Sequence, residues 1–144
     1  MTVAAILREK GSAIVSVPPD ASISDLIQQL ARHRIGAAIV RDYGGPLLGI
    51  ISERDVMRAL AEHGPAALAL RVEGIMTRGV QCATRATSDE DALETMTHGR
   101  FRHLPVVENG ALIGLISIGD VVKARLSQQA HEVDSLRAYV AGAI

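Results

Sequence analysis

Apolar positions along the chain alternate between helical spacing and unbroken runs, and this order of features occurs twice. Val3 to Glu9 reads as a short helix stopped by Gly11, and Ala13 to Val17 as a strand broken by Pro18-Pro19. Ser22 then stands as an N-cap with Asp25 three residues on, a capping-box pattern. Leu26, Ile27, Leu30 and Ala31 follow at helical spacing. The continuous run Ile35 to Val40 predicts a buried strand, and the Gly44-Gly45-Pro46 turn leads to a second strand, Leu47 to Ile51. Ser52 opens another helix through Val56, Met57, Ala59 and Leu60, and Gly64-Pro65 ends it.

The second pass reads Val80 to Ala83, Ser88 to His98, Leu104 to Val107, Leu112 to Ile116, and Ser117 to Ser127. Gly49-Ile50-Ile51-Ser52-Glu53-Arg54-Asp55-Val56 matches Gly114-Leu115-Ile116-Ser117-Ile118-Gly119-Asp120-Val121, and Ser22 to Asp25 matches Ser88 to Asp91. The offset is 66 residues from Ser22 to Ser88 and 65 from Gly49 to Gly114. The lost residue falls in a turn, where Asp42-Tyr43-Gly44-Gly45 becomes Glu108-Asn109-Gly110. The predicted fold is therefore α+β: two β-α-β-β-α units related by a pseudo-twofold, with two equivalent clefts. We place the first unit at 10–66, a linker with a short helical turn around Val72 to Met76 at 67–79, the second unit at 80–128 and a helical tail at 129–144. Val133, Leu136, Tyr139 and Val140 form an apolar stripe on that tail. The expected cover for such a stripe is the protein's own body, with a dimer contact as the alternative.

Composition narrows the function. A unit of about 60 residues buries too little surface to be stable alone, so the two copies should pack together. The 144 residues are 48% hydrophobic and 2% aromatic with no Trp, so the core must be aliphatic. A net charge of −1 argues against broad electrostatic binding of nucleic acid. The single cysteine, Cys82, supports neither an internal disulfide nor a Cys-based zinc site. The N-terminal stretch lacks a secretory pattern, and no apolar run is long enough to span a bilayer. The expected location is cytoplasmic. No P-loop, no Gly-x-Gly-x-x-Gly, no Ser/His/Asp nucleophile set and no metal-ligand spacing among the histidines is present in the sequence. Catalysis is not expected.

Two Gly-x-Ile-Ser-x-x-Asp-Val strings at matching places, together with Arg102-His103-Leu104-Pro105-Val106-Val107, make the chain resemble a tandem pair of cystathionine β-synthase (CBS) domains. The stretch Ser117 to Lys123 is similar to that of small stand-alone CBS-pair proteins. The resemblance covers roughly residues 10 to 128. It implies a regulatory module, commonly a disc-like homodimer, whose clefts bind adenosine compounds: AMP, ADP, ATP, NAD(H) or S-adenosylmethionine. It implies a signal passed in trans to an effector protein. The alternative is a nucleotide-independent interaction or scaffold protein with degenerate clefts.

The residues suit a nucleotide on their own chemistry. A ribose offers two adjacent hydroxyl donors and a carboxylate two acceptor oxygens, which points to Asp55 and Asp120. Ser52 and Ser117 stand at helix starts, where free N–H groups favour a phosphate. The same Ser-x-x-Asp pattern is also a plain capping box, and the two roles are compatible. Gly36, Ala37 and Ala38 leave room for a base, which Ile35, Ile14 or Val17 would contact. The resemblance assigns phosphate contact to Arg102 and His103, just ahead of Pro105; Arg54, Gly119 and Lys123 beside the two aspartates complete the candidate set. Arg100 reads as solvated. Because Gly36-Ala37 stands in the first unit where Arg102-His103 stands in the second, the basic pair comes from one half only. The Asp55 site would borrow it across the pseudo-twofold, leaving the Asp120 site to depend on Arg54 or Lys123, or to hold a neutral part of a larger ligand.

Overall fold

The computed structural model describes residues 1–11 and 13–142. Helix α1 (Val3–Lys10) precedes the first unit, which comprises β1 (Ser16–Val17), α2 (Ile23–His33), β2 (Ala37–Val40), β3 (Gly49–Ser52) and α3 (Glu53–His63). Two 3₁₀ segments, Gly64–Ala69 and Val72–Gly74, form the connection. The second unit contributes α4 (Asp89–Gly99), β4 (His103–Glu108), β5 (Ala111–Ser117) and α5 (Ile118–Gly142).

The two hairpins share one register. Ala37 pairs with Ser52 and Val40 with Gly49; at the matching places His103 pairs with Ser117 and Val106 with Gly114. Strand β1 joins the first hairpin in parallel, Val17 opposite Val40. Its counterpart in the second unit is one parallel bridge, Ala83 to Val106, held by Ala83 N–H to Pro105 O and Val107 N–H to Ala83 O, each 2.8 Å. The strand expected over Val80 to Ala83 is thus reduced to a single paired residue. Apolar content alone does not supply the ladder: only Ala83 of this segment is buried, while Gln81 and Cys82 are exposed.

Both units are closed by a segment that belongs, in sequence, to the other side of the chain. Val3 and Ile6 of α1 are buried in one core with Ala92, Met96, Leu104, Val106, Ile116 and Val121 of the second unit. Val72 and Met76 of the connection are buried with Val17, Leu26, Val40, Ile51 and Val56 of the first. The crossing is held by backbone bonds at equivalent points: Val3 N–H to Thr87 O and Val72 N–H to Ala21 O, both 2.8 Å. Neither unit has a complete core without its neighbour's flank, which answers the size problem of a 60-residue repeat. Close approach is built in as well. At Gly49 a Cβ would lie 2.6 Å from Thr77 O and 2.9 Å from Met76 Sδ, so only glycine lets the connection lie against β3.

The tail departs from expectation in its packing. Of the two readings, a further helix or a helix end, it is the end of α5, which runs unbroken for 25 residues; residues 143 and 144 lie outside the described part. Its apolar stripe is not packed on the body. Val121 and Ala124 are the buried residues of α5, and every residue from Leu126 to Gly142 is exposed. The buried part is anchored by Arg125 Nε, which donates to Asp89 Oδ2 at 2.6 Å. Burial acts to raise the Asp89 carboxyl, but the Arg125 bond and charge and the nearby N-terminal ammonium outweigh it and hold it below the ordinary carboxylate range.

Candidate functional site

Helix α3 starts where β3 leaves the sheet, and Ser52 makes that start definite. Its Oγ accepts from Asp55 N–H at 3.4 Å, while Asp55 Oδ2 accepts from Ser52 N–H at 2.8 Å and from Ser52 Oγ at 3.2 Å. The reciprocal box fixes the Asp55 rotamer and engages one carboxylate oxygen. The other, Oδ1, makes no hydrogen bond among the described residues.

Opposite this helix start lies the approach to β4. Arg100 adopts the left-handed conformation, φ 57°, that ends α4, and the chain then turns through Phe101 and Arg102 into the strand at His103. The turn is tight: a Cβ on Gly99 would fall 2.0 Å from Phe101 Cε1. Because the strand begins only at His103, simple alternation does not separate Arg102 from His103. Both line one cleft of about 300 Å³ together with Gly36, Ser52, Arg54 and Asp55, and Arg100 and Phe101 line it too. A carboxylate from one unit therefore faces three basic side chains from the other.

The remaining candidates are distributed differently. Ile35 lies in a shallow groove beside Ile27, Leu30 and Val56, away from the phosphate-suited residues. Val17 and Ala37 are buried, 4% and 1% exposed, and Pro105 is buried in β4. Val17, expected to contact a base, is turned by its strand into the first unit's core. Space above Gly36 is not empty, since a Cβ there would lie 3.2 Å from Glu53 Oε1 and 3.5 Å from His103 Cε1. Arg100, read as solvated, is a lining residue. Arg58, Thr77, Gly79, Val80 and Gln81 also line the cleft and carry no motif of their own, because they come from α3's second turn, the connection and the first residues of the second unit.

The Asp120 site, at the matching helix start, is built alike and paired differently. Ser117 N–H donates to Asp120 Oδ2 at 2.8 Å and Asp120 N–H to Ser117 Oγ at 3.1 Å. Asp120 Oδ2 also accepts from Lys10 Nζ at 2.7 Å, and the same ammonium donates to Leu115 O. The cation beside Asp120 is therefore Lys10, not Arg54, which lines the first cleft, nor Lys123, which is exposed. Gly119 is exposed beside it. The signal for Lys10 was a spacing: Val3 to Val17 is three residues longer than Val72 to Ala83, and Lys10 sits in that extra turn. Burial acts to raise the Asp120 carboxyl, yet the bonds from Lys10 and Ser117 and the Lys10 charge hold it low.

His103 lies between the two aspartate sites. Burial, then the charges of Lys10 and Arg102, push its imidazole below the ordinary histidine value, against smaller opposite pulls from Asp120 and Glu53. The unfolded chain, with histidine near 6.5, then takes up a proton before the folded one does. Stability should fall as pH drops below about 6.5 toward the folded value. His103→Gln is expected to flatten the loss of urea midpoint between about pH 7 and 5.5; an equally steep loss in the variant would contradict this.

Among the described residues no group of three or more His, Cys, Asp and Glu is placed to hold a metal ion, and no helix is long and apolar enough to cross a membrane.

Two interlocked β-α-β-β-α units with a carboxylate and a basic cluster meeting between them define a tandem-repeat binding module. The CBS-domain family model matches residues 4–62 and 72–127, and the chain belongs to that family. A CBS domain-containing protein of Arabidopsis thaliana, the mitochondrial CBSX3, is 32% identical over 98% of this chain and 72% of its own length. The crystal structure of a CBS-domain protein from Agrobacterium tumefaciens is 46% identical with a TM-score of 0.85, covering 87% of this chain and 99% of the other. A CBS-domain protein from Pyrobaculum aerophilum, solved in complex with AMP, is 29% identical with a TM-score of 0.72, covering 83% and 89%.

Proposed function

We propose that this protein is a regulatory module that binds an adenine nucleotide in the cleft around Asp55 and passes the signal to a partner protein in trans. The observation that carries the reading is the convergence of Asp55 and Ser52 from one unit with Arg100, Arg102 and His103 from the other. Asp55 Oδ1 is left to accept from ribose hydroxyls, and the N-terminus of α3 with Arg102 and His103 serves the phosphate. A phosphate beside His103 would favour the imidazolium that burial disfavours, so nucleotide and proton would bind together. The cleft volume, at the low end for small-molecule sites, suits a mononucleotide better than a dinucleotide. The AMP complex of the Pyrobaculum relative supports the same ligand class.

Regulation follows from where the ligand sits. It touches both units, so it favours whichever arrangement of the units brings Asp55 and Arg102 to its two ends, by the difference in its affinity for the two states. At the second site Lys10 already neutralises Asp120 through Oδ2, so a ligand there meets a paired carboxylate.

The test is a thermal-shift series on nucleotide-stripped protein with AMP, ADP, ATP, NAD⁺, NADH and S-adenosylmethionine. A ligand at about a hundred times its dissociation constant should stabilise the fold by roughly 2.7 kcal/mol. No shift with any of them would leave the Ser-x-x-Asp pairs as helix caps and favour a nucleotide-independent scaffold.

A further inference from the structure

We infer that the projecting half of α5 is a self-association surface, which pairs in parallel with the same helix of a second copy. The body uses α5 only through its first turns, where Val121 and Ala124 are buried. Residues 126–142 then extend for about 25 Å of helix with every side chain exposed. Large apolar side chains are concentrated there: Leu126 and Leu136 are 62% and 63% exposed, and Val133 and Val140 about half. A lone helix of this length is marginal in water, and an apolar face of this size on a soluble body marks an interaction site.

The spacing says what covers it. Val122, Leu126, Gln129, Val133, Leu136 and Val140 follow one another at four, three, four, three and four residues, the two-position seam of a heptad repeat. Leu126, Val133 and Val140 fall at one seam position and Val122, Gln129 and Leu136 at the other; over the last two turns, Val133 to Val140, this is the β-branched and leucine arrangement that favours two parallel strands. Gln129 is the one polar residue of the seam. The flanking charges are self-complementary. Glu132 precedes a seam position and Arg137 follows the next one, the two places that meet across a parallel pair, so Glu132 of each copy faces Arg137 of the other. The opposite orientation would align Lys123 and Arg137 on one flank with the same residues of the second helix, like against like. A twofold parallel pair makes the favourable contact twice.

Sedimentation velocity and equilibrium on the full chain test this, with Leu126→Asp/Leu136→Asp as the stripe variant. Both side chains are exposed in the single chain, so the variant should keep its body, checked by circular dichroism and melting temperature. The expected result is a particle of half the wild-type mass. Glu132→Arg should weaken association several-fold, and Glu132→Arg combined with Arg137→Glu should restore it. A Leu136→Cys variant in a Cys82→Ser background should crosslink to itself on oxidation. A wild type that is monomeric, or a stripe variant with unchanged mass, would overturn the surface. Failure of both the charge exchange and the crosslink would overturn the parallel pairing.

Discussion

Asp55→Ala should weaken adenine-nucleotide binding by roughly 30- to 1000-fold, corresponding to about 2–4 kcal/mol from charge-assisted ribose hydrogen bonds. The carboxylate has two functions that the variant removes together. Oδ2 accepts from the Ser52 amide and hydroxyl, and Oδ1 is open to the cleft. Loss of the cap should lower the stability of the free protein by about 1 kcal/mol, because a half-buried amide is left without its partner. Asp55→Asn separates the two: its amide oxygen can still accept from Ser52 N–H while the charge is gone. Calorimetric titration should show both variants weakened for AMP, and denaturation of free protein should show only the alanine variant destabilised. Unchanged AMP affinity in both would mean that Asp55 is a cap and nothing more.

Ile6→Ala is expected to be the most damaging single truncation outside the repeats, costing about 2–5 kcal/mol in urea unfolding. Ile6 lies before the first unit in the chain, yet it is 1% exposed in the core of the second, against Met96, Leu104 and Val106. A cavity there removes packing from β4 and from the start of α5, both of which flank His103. Against a total stability of about 5–15 kcal/mol, such a loss takes a large share. Arg8→Ala on the exposed face of the same helix should stay within about 0.5 kcal/mol. Equal, small effects at both positions would mean that α1 lies on the surface and does not complete the second core.

The cleft and the crossing differ in how far the sequence foretold them. Ser52, Asp55 and their counterparts stand out in sequence because capping is local: an N-cap and its partner three residues on are placed by helix geometry alone. The convergence of Asp55 with Arg102 and His103 was readable only through the repeat, since a pseudo-twofold brings the end of one unit to the start of the other. Lys10 sits 2.7 Å from Asp120 across 110 positions of chain, and only the unequal length of the two lead-in segments hints at that contact. The Val80 to Ala83 strand was overestimated for a related reason. A strand exists only where a neighbour offers a ladder, and β4 offers one to Ala83 alone.

The repeat, the α+β order of elements, the aliphatic character of both cores and the two capped aspartates are legible in the residues alone. Each of these is written in periods of two to four residues or in a direct comparison of one stretch with another. Only the tertiary structure decided which flank closes which core, that Arg100 joins the basic side of the first cleft, that Lys10 takes Asp120, and that α5 leaves its apolar stripe in solvent. These outcomes depend on which surfaces meet after the chain has folded back on itself, and the free energy of a meeting depends on both surfaces at once.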